Sequence, residues 1–383
     1  MSAKSAIEAR LRVIGKPCDV SSDPTESYIA KWDKSLKKFS YDIEQYYYEN
    51  RQDPDEFKKK LNILKEVEDY LAENVFNETI NGARYELKAV VPFGSSASGL
   101  GMTGGDLDMI VCVYPALKTK SKRILQGKSN DILAEIFKRI ESRKLWGNRK
   151  VKDMEHIDGA RVPIITGTVD DVEVDISISM TKTVSAQYLA SKFIDAYSRT
   201  VFPNSCSTVL LVIFFMKYYK LLPHVNAKHN DILGEAYATW ARVNQGENGS
   251  FGVPRKDVSN WQTSNTCDIS VGTLFLLFLD FYTNVVDFKH QKLVIEHGSL
   301  APKTKKERRY RIVINDVVDK DNTAQSVTEA GMYAKWLEDA QNIVMKTEDF
   351  ATFEKLMEDK LRDIKTYSMQ EIMQLKKKGL HVH

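Results

Sequence analysis

The chain has 383 residues, of which 43% are hydrophobic and 28% are charged, values that are ordinary for a folded globular protein. Its net charge of +3 gives no general preference for a polyanionic partner, and its four scattered cysteines include no CxxC pair, which argues against a disulfide framework or a zinc site. The N-terminus lacks the apolar core of a signal peptide, and the most apolar run, Thr208–Met216, is too short to cross a bilayer. We therefore expect a soluble cytoplasmic protein of two or three domains without membrane contact.

Helical patterns follow a flexible leader at residues 1–23. Residues 24–79 repeat apolar residues at spacings of three and four. The stretch "DPDEF" at residues 53–57 offers an acidic N-cap, then proline and further acids, which is typical of a helix start. The expected apolar face of that helix consists of Phe57, Leu61, Leu64, Val67 and Leu71. We predict that residues 24–79 pack with a second helical domain further along the chain.

Strand patterns begin near residue 80. Four short runs rich in β-branched residues predict strands, and one helical run separates the second from the third. The strand runs are "YELKAVVPF", "DMIVCVYP", "ARVPIITGTV" and "VEVDISISM", and the helical run is "DILAEIFKRIESRKL". Residues 80–182 thus predict a small mixed sheet with helices, residues 183–335 a mostly helical domain, and residues 336–383 C-terminal helices and a tail. The predicted fold class is α+β.

Three acidic residues are placed where strands are otherwise apolar. Asp106 and Asp108 alternate at the start of the run "MIVCV", so their side chains point to the same face of the strand. Asp175 lies inside a second alternating strand, between valine and isoleucine residues. Carboxylates this close repel each other unless a cation lies between them, and Mg²⁺ favours a few carboxylates together with substrate phosphates. The pattern indicates metal-dependent phosphoryl or nucleotidyl transfer.

The stretch "GSSASGLGMTGG" leads directly into the first two acids. Its glycines allow the backbone to approach phosphates closely, and Ser95 and Ser96 offer hydroxyl and N–H donors. Alone, such a loop is equally typical of a flexible turn. Two basic runs, Lys118–Lys128 and Lys303–Arg311, are either solvated loops or contacts for an RNA backbone.

Together these residues resemble the nucleotidyltransferases of polymerase β type, and within them the noncanonical poly(A) polymerases and terminal uridylyltransferases. The family signature is Phe-Gly-Ser, Gly-Leu, Ser-Asp-x-Asp and a later strand Asp, and this chain has "FGSSASGLGMTGGDLD" and "VEVDI". The segment "VINDVVDKDNTAQSV" is similar to the base-pocket segment of the cytoplasmic poly(A) polymerases of germline development. The resemblance covers about residues 50–335, but Gly105 replaces the serine before the first acid.

The resemblance implies a nucleoside triphosphate bound in a cleft between the sheet domain and the helical domain. It implies that Asp106, Asp108 and Asp175 hold two Mg²⁺ or Mn²⁺ ions and that Asp175 also helps to deprotonate the RNA 3′-hydroxyl. The other nucleotide-binding residues implied are Gly94 and Ser95 for the triphosphate, Lys217 and Lys220 for phosphates, Gln187 for the ribose, and Tyr237, Asp319 and Asn322 around the base. A snorkelling lysine and a buried structural tyrosine are the alternatives for Lys217 and Tyr237.

The residues around the base favour ATP. Uridylyltransferases of this family tend to carry a histidine beside the pocket asparagine, whereas Asp321 precedes Asn322 here and can accept a hydrogen bond from the amine of adenine. The expected activity is poly(A) addition to an RNA 3′ end in the cytoplasm, including RNA granules, with an RNA-binding or adaptor protein recruiting the target. The alternatives are the addition of U or of U/G mixtures in RNA silencing, an inactive RNA-processing scaffold, and a primer-independent oligoadenylate synthase.

Overall fold

The computed structural model describes residues 28–98, 100–115, 122–143, 145–146, 149–158, 163–179, 205–222, 269–315, 322–325, 327, 330–347 and 349–360. Its first two helices are α1 (Tyr28–Asn50) and α2 (Pro54–Asn74). The side chain of Asp53 caps α2 by accepting a hydrogen bond of 2.8 Å from the N–H of Glu56, and Pro54 opens the helix. The predicted helix start is thereby confirmed.

A seven-stranded mixed sheet follows. Its elements are β1 (Thr79–Ile80), β2 (Ala83–Phe93), a short helix α3 (Gly94–Ser98), β3 (Leu107–Pro115), α4 (Lys122–Arg143), β4 (Leu145–Trp146), β5 (Arg149–Ile157), β6 (Ile164–Val169) and β7 (Val172–Ser179). The strand order is β1-β2-β3-β7-β6-β5-β4, and β3 with β7 is the parallel pair among antiparallel neighbours. The four predicted strands and the helix between them are confirmed, whereas β5 was not predicted.

The remaining described elements are mainly helical. They comprise α5 (Ser205–Tyr218), α6 (Val271–Asp280), a π-helical turn (Phe281–Val285), β8 (Gln291–Val294), β9 (Ser299–Pro302), a 3-10 turn (Glu307–Arg309), β10 (Ile314–Asn315), α7 (Ala330–Val344) and a helix over 350–360. Strands β8, β9 and β10 form a small separate sheet that the sequence did not predict. Among the described residues, no helix combines the length and the apolar character needed to cross a membrane.

The buried apolar residues form two separate cores. One lies between the sheet and helices α2 and α4, and it includes Leu64, Val111 and Ile136. The other joins α1 to α5, α6, α7 and the helix over 350–360, and it includes Phe39 and Phe214. The division into a sheet part and a helical part agrees with the predicted α+β class.

Helix α2 corrects one expectation. We predicted that all of residues 24–79 pack with the helical part, but only α1 does so, through Leu36 and Phe39. The apolar face of α2 packs on the sheet instead, because its buried stripe of Ile63, Leu64, Val67 and Leu71 faces β2.

Candidate metal and nucleotide site

Strands β3 and β7 bring the three predicted acids together. Asp108 and Asp175 are direct partners in the parallel pairing of these strands, so their side chains leave the sheet on the same face. Asp106 stands just before β3, two residues from Asp108. One carboxylate oxygen from each of the three lies within 4.8 Å of the others. The convergence predicted from the sequence is confirmed.

The electrostatics of these acids favour a bound cation. Burial, together with the charges of Asp106 and Asp175, raises the pKa of Asp108 from 3.8 to about 8, although Lys60 opposes the shift. Burial also raises the pKa of Asp175, against a hydrogen bond from the side chain of Thr166. Since the folded-state pKa of Asp108 is the higher one, the metal-free protein loses stability as the pH rises from about 4 towards 8. Divalent cations relieve this cost, and three carboxylates suit the hard oxygen preference of Mg²⁺ or Mn²⁺.

Gly94 lies against the metal-binding acids. It joins β2 to α3 with a φ of +69°, and a Cβ atom built there would stand 1.9 Å from Asp108 Oδ2. Only glycine therefore permits both the turn and the approach. The neighbouring Ser95 is half-buried, and helix α3 begins at Gly94. The predicted triphosphate pair thus adjoins the acids.

Ser96 has a different role from the one predicted. Its side chain is buried, and its Oγ lies 2.9 Å from the carbonyl oxygen of Asp106 and 2.9 Å from Gln52 Oε1. This hydroxyl is used inside the protein, so it ties α3 to the residue that starts the acid pair.

Lys60 is the part of the site that the sequence did not reveal. Its side chain is only 1% exposed, although it belongs to a run of three lysines in α2. Its Nζ donates to Gln52 Oε1 (2.6 Å) and to Ser96 Oγ (3.1 Å), and it lies 3.0 Å from Glu56 Oε1. Burial of an ammonium group costs free energy unless the group is paired. These contacts therefore indicate that Lys60 has a specific structural role beside the acids.

Residues 51–56, which lead into α2 and form its first turn, also hold the loop that leads to the acids. The N–H of Gln52 donates to the carbonyl of Gly101 (2.8 Å), and Glu56 Oε1 accepts from the N–H of Gly104 (3.1 Å). Arg51 and Met102 form an antiparallel bridge beside these bonds. The loop over residues 100–105 is therefore fixed to the sheet domain by the start of α2.

The two predicted phosphate-binding lysines lie at the end of α5. Lys217 is buried, its Nζ donates to the carbonyl oxygen of Ile295 (3.1 Å), and burial lowers its pKa while Glu296 opposes that shift. Lys220 is exposed and has a φ of +59°. Its N–H bonds to Lys217 O and that of Leu221 to Met216 O, the pattern of a Schellman C-cap. Their predicted contact with phosphates stays a prediction.

Asn322 is bound by the main chain. Its Oδ1 accepts from the N–H groups of Ile314 (2.9 Å) and Ala324 (3.1 Å), and its Nδ2 donates to the carbonyl of Ile312 (2.8 Å). These bonds hold the segment against β10, a role that the sequence did not indicate.

Three predicted residues, Gln187, Tyr237 and Asp319, lie outside the described part of the chain, as does Asp321.

A family model matches residues 39–199. It is described as the central palm domain of the mitochondrial-like poly(A) RNA polymerase, and the matched residues contain all three acids and the Gly94-Ser95 pair. A search of curated protein sequences found no match.

Solved structures share the fold over most of the chain. A GLD-2/RNP-8 complex matches with a TM-score of 0.57 and 18% identity, covering 84% of this chain and 98% of that one. The structure of mtPAP in complex with CTP matches with a TM-score of 0.58 and 16% identity, covering 91% of this chain and 78% of that one. The terminal uridylyl transferase Cid1 matches with a TM-score of 0.52 and 17% identity over 84% and 98%. The chain therefore shares the fold of these three structures.

Proposed function

We propose that the chain adds adenylate residues to RNA 3′ ends, and the match of residues 39–199 to the palm-domain model of a mitochondrial-like poly(A) RNA polymerase supports this proposal. The observation that carries the proposal is the convergence of Asp106, Asp108 and Asp175 beside the Gly94 turn. Desolvation raises the pKa of Asp108 and of Asp175, so their charged forms destabilise a metal-free fold and their convergence indicates a functional site.

The reaction follows from these groups. The RNA 3′-oxygen attacks the α-phosphorus of the triphosphate, the bond to the β-phosphate breaks, and pyrophosphate leaves. Asp106, Asp108 and Asp175 would hold the divalent cations, which neutralise the phosphates when bound. Asp175 accepts the proton of the 3′-hydroxyl, and Gly94 and Ser95 hold the triphosphate near the acids. Lys217, Lys220 and Gln187 remain the proposed contacts to phosphates and ribose.

The choice of adenine rests on the acids next to Asn322. Because the Asn322 side chain is bonded to the main chain on both its oxygen and its nitrogen, base selection falls to other groups. Asp319 and Asp321 supply acceptors for the exocyclic amine of adenine, whereas O4 of uracil offers no donor. Tyr237 is the proposed stacking partner.

An adaptor protein completes the proposal. The sequence shows no RNP-like strand or zinc finger that would select an RNA target. The similar GLD-2 structure was solved as a complex with RNP-8. We propose that a comparable RNA-binding partner brings the target to this chain in the cytoplasm.

The test is an extension assay with a labelled RNA primer, Mg²⁺ and each nucleoside triphosphate in turn. We expect extension with ATP, a loss of about a thousandfold or more in Asp108→Asn, and no change in the control Asp171→Asn, an exposed acid of the β6–β7 turn. Extension with UTP alone would replace the adenylate proposal by uridylate addition.

A second measurement reports the metal site without activity. Mg²⁺ or Mn²⁺ is expected to raise the unfolding temperature of the wild-type protein but not that of Asp108→Asn. An absent response in the wild-type protein, together with no extension, would revive the inactive scaffold.

A further inference from the structure

The turn over residues 303–311, between β9 and β10, carries six basic residues in nine positions. These basic residues differ in burial. Lys303 is buried, whereas Lys305, Lys306, Arg308 and Arg309 are exposed. We call these four exposed residues the basic turn.

Lys303 holds the turn in place from within. Its Nζ donates to the carbonyl oxygens of Phe288 (2.6 Å), Tyr310 (2.9 Å) and Arg311 (2.9 Å). Its backbone N–H donates to the carbonyl of His290 (2.9 Å). This lysine therefore connects the end of the turn to the segment before β8, and it is not available to a ligand.

Glu307, the acid inside the basic turn, is directed away from the four cations. It forms a capping box with Thr304: the N–H of Thr304 donates to Glu307 Oε2 (2.8 Å), and the N–H of Glu307 donates to Thr304 Oγ1 (3.3 Å). Lys292 Nζ lies 2.8 Å from Glu307 Oε1. Although burial would raise it, these bonds lower the pKa of Glu307 to about 2. The negative charge is thus balanced by Lys292.

The four cations of the basic turn are exposed to solvent. None of them forms an ion pair with an acid in the described part of the chain. Arg309 lies over the Tyr310 ring, with its guanidinium carbon 4.6 Å from the ring centroid, and it also bonds to the hydroxyl of Tyr310. A 3-10 turn with two bonded ends and an internal cap presents these charges on a fixed backbone. A merely solvated loop does not require such fixation.

We propose that the basic turn binds the sugar–phosphate backbone of the single-stranded RNA that the enzyme extends. Four cations within five residues match closely spaced phosphates, and arginine guanidinium groups bind phosphate oxygens in pairs. Contacts between these four cations and phosphates carry no sequence information, so we expect the binding to be independent of sequence. The proposal rests on the proposed function, which supplies RNA as the substrate.

The test measures RNA binding directly, without nucleotide. The test variant combines Lys305→Gln, Lys306→Gln, Arg308→Gln and Arg309→Gln. The control removes four exposed lysines elsewhere, Lys58→Gln, Lys65→Gln, Lys138→Gln and Lys355→Gln, so both proteins lose the same charge. Fluorescence anisotropy with a labelled oligoadenylate gives Kd over a range of salt concentrations, and thermal unfolding checks that each variant is folded.

We expect the basic-turn variant to bind at least about tenfold more weakly at low salt and to lose about three units of the slope of log Kd against log salt concentration, since single strands contribute about 0.7 per phosphate contact. The control should lose less than about one unit. Equal losses in both variants, or none in the test variant, would overturn the proposal. Binding of polyglutamate as tight as that of RNA would overturn it in favour of an acidic protein partner.

The outcome is separable from that of the proposed function. If the wild-type protein binds RNA through the basic turn but extends it with no nucleotide, the binding proposal stands and the proposed function fails. If the wild-type protein extends RNA but the basic-turn variant binds RNA normally, the proposed function stands and the binding proposal fails.

Discussion

Gly94 shows how a single missing methyl group shapes the site. Alanine at this position would suffer twice, from a φ of +69° and from the Asp108 carboxylate 1.9 Å away. We expect Gly94→Ala to lower activity by about a hundredfold or more, because a metal ligand must move. The strain itself should cost only about 1–2 kcal/mol of stability. Extension kinetics and thermal unfolding measure the two effects.

Gly82 supplies the matched control. Its φ is +74°, but a Cβ atom there would meet nothing within 4 Å. Gly82→Ala should therefore lose similar stability and keep its activity. Equal loss of activity in both variants would show that backbone strain, and not the contact with Asp108, matters at Gly94.

The three acids could be predicted from the sequence, but Lys60, the cation whose charge opposes the pKa shift of Asp108, could not. Asp106, Asp108 and Asp175 are recognisable because charges interrupt apolar, alternating strands. Lys60 is hidden among three consecutive lysines, a pattern that is typical of a solvated helix face. Its burial depends on contacts with Gln52 and Ser96, which are far apart in sequence and meet only in the fold.

At the scale of elements, α2 holds α3 and the acid-bearing loop together through the side chain of Lys60. Lys60 contacts Ser96, and Ser96 in turn contacts the carbonyl oxygen of Asp106. We expect Lys60→Met to fold with lower stability, because methionine fills the buried position but leaves Glu56 without its ammonium partner. Its activity should fall about tenfold to a hundredfold, since both α3 and the acid loop lose their shared partner.

A double-mutant cycle with Ser96→Ala tests whether the two residues act through one contact. The combined variant should lose little more activity than Lys60→Met alone, whereas independent effects would multiply. Lys60→Arg should restore part of the rate, and the exposed neighbour Lys58→Met should match the wild type. A cycle with multiplying losses would assign Lys60 to general stability.

Elements with one apolar face were predicted, and those without one were not. Strand β3 is buried along nearly all of its described length, so its pattern is clear. Strand β5, "RKVKDMEHI", has no buried residue and reads as a polar loop. It becomes a strand because it pairs with β6, which is a long-range effect that no local pattern contains.

At the scale of the whole molecule, consecutive helices serve different cores. Helices α1 and α2 are separated by residues 51–53, yet α1 packs on α6 and α2 packs on β2. Both are amphipathic, and amphipathicity shows that a helix has a buried face without showing which surface covers it. This is why the sequence assigned both helices to one domain.

The two cores predict separable stabilities. Phe39 is 1% exposed and packs edge-on against Phe353, with ring centroids 5.6 Å apart, in the helical core. Phe39→Ala should therefore destabilise that core by about 3–5 kcal/mol. Val67→Ala is the counterpart in the sheet core, where the loss should be smaller because fewer atoms are removed.

Calorimetry with and without Mg²⁺ distinguishes the cores, because the three acids that could hold the cation all belong to the sheet part of the described chain. We expect Phe39→Ala to lower a transition that Mg²⁺ does not raise, and Val67→Ala to lower the one that it does. A single transition that both variants lower and Mg²⁺ raises would instead show that the cores unfold together. In that case the bonds from Gln52 and Asn50 to the loop over residues 100–105 couple the helical core to the site, and a change at Phe39 would also affect metal binding.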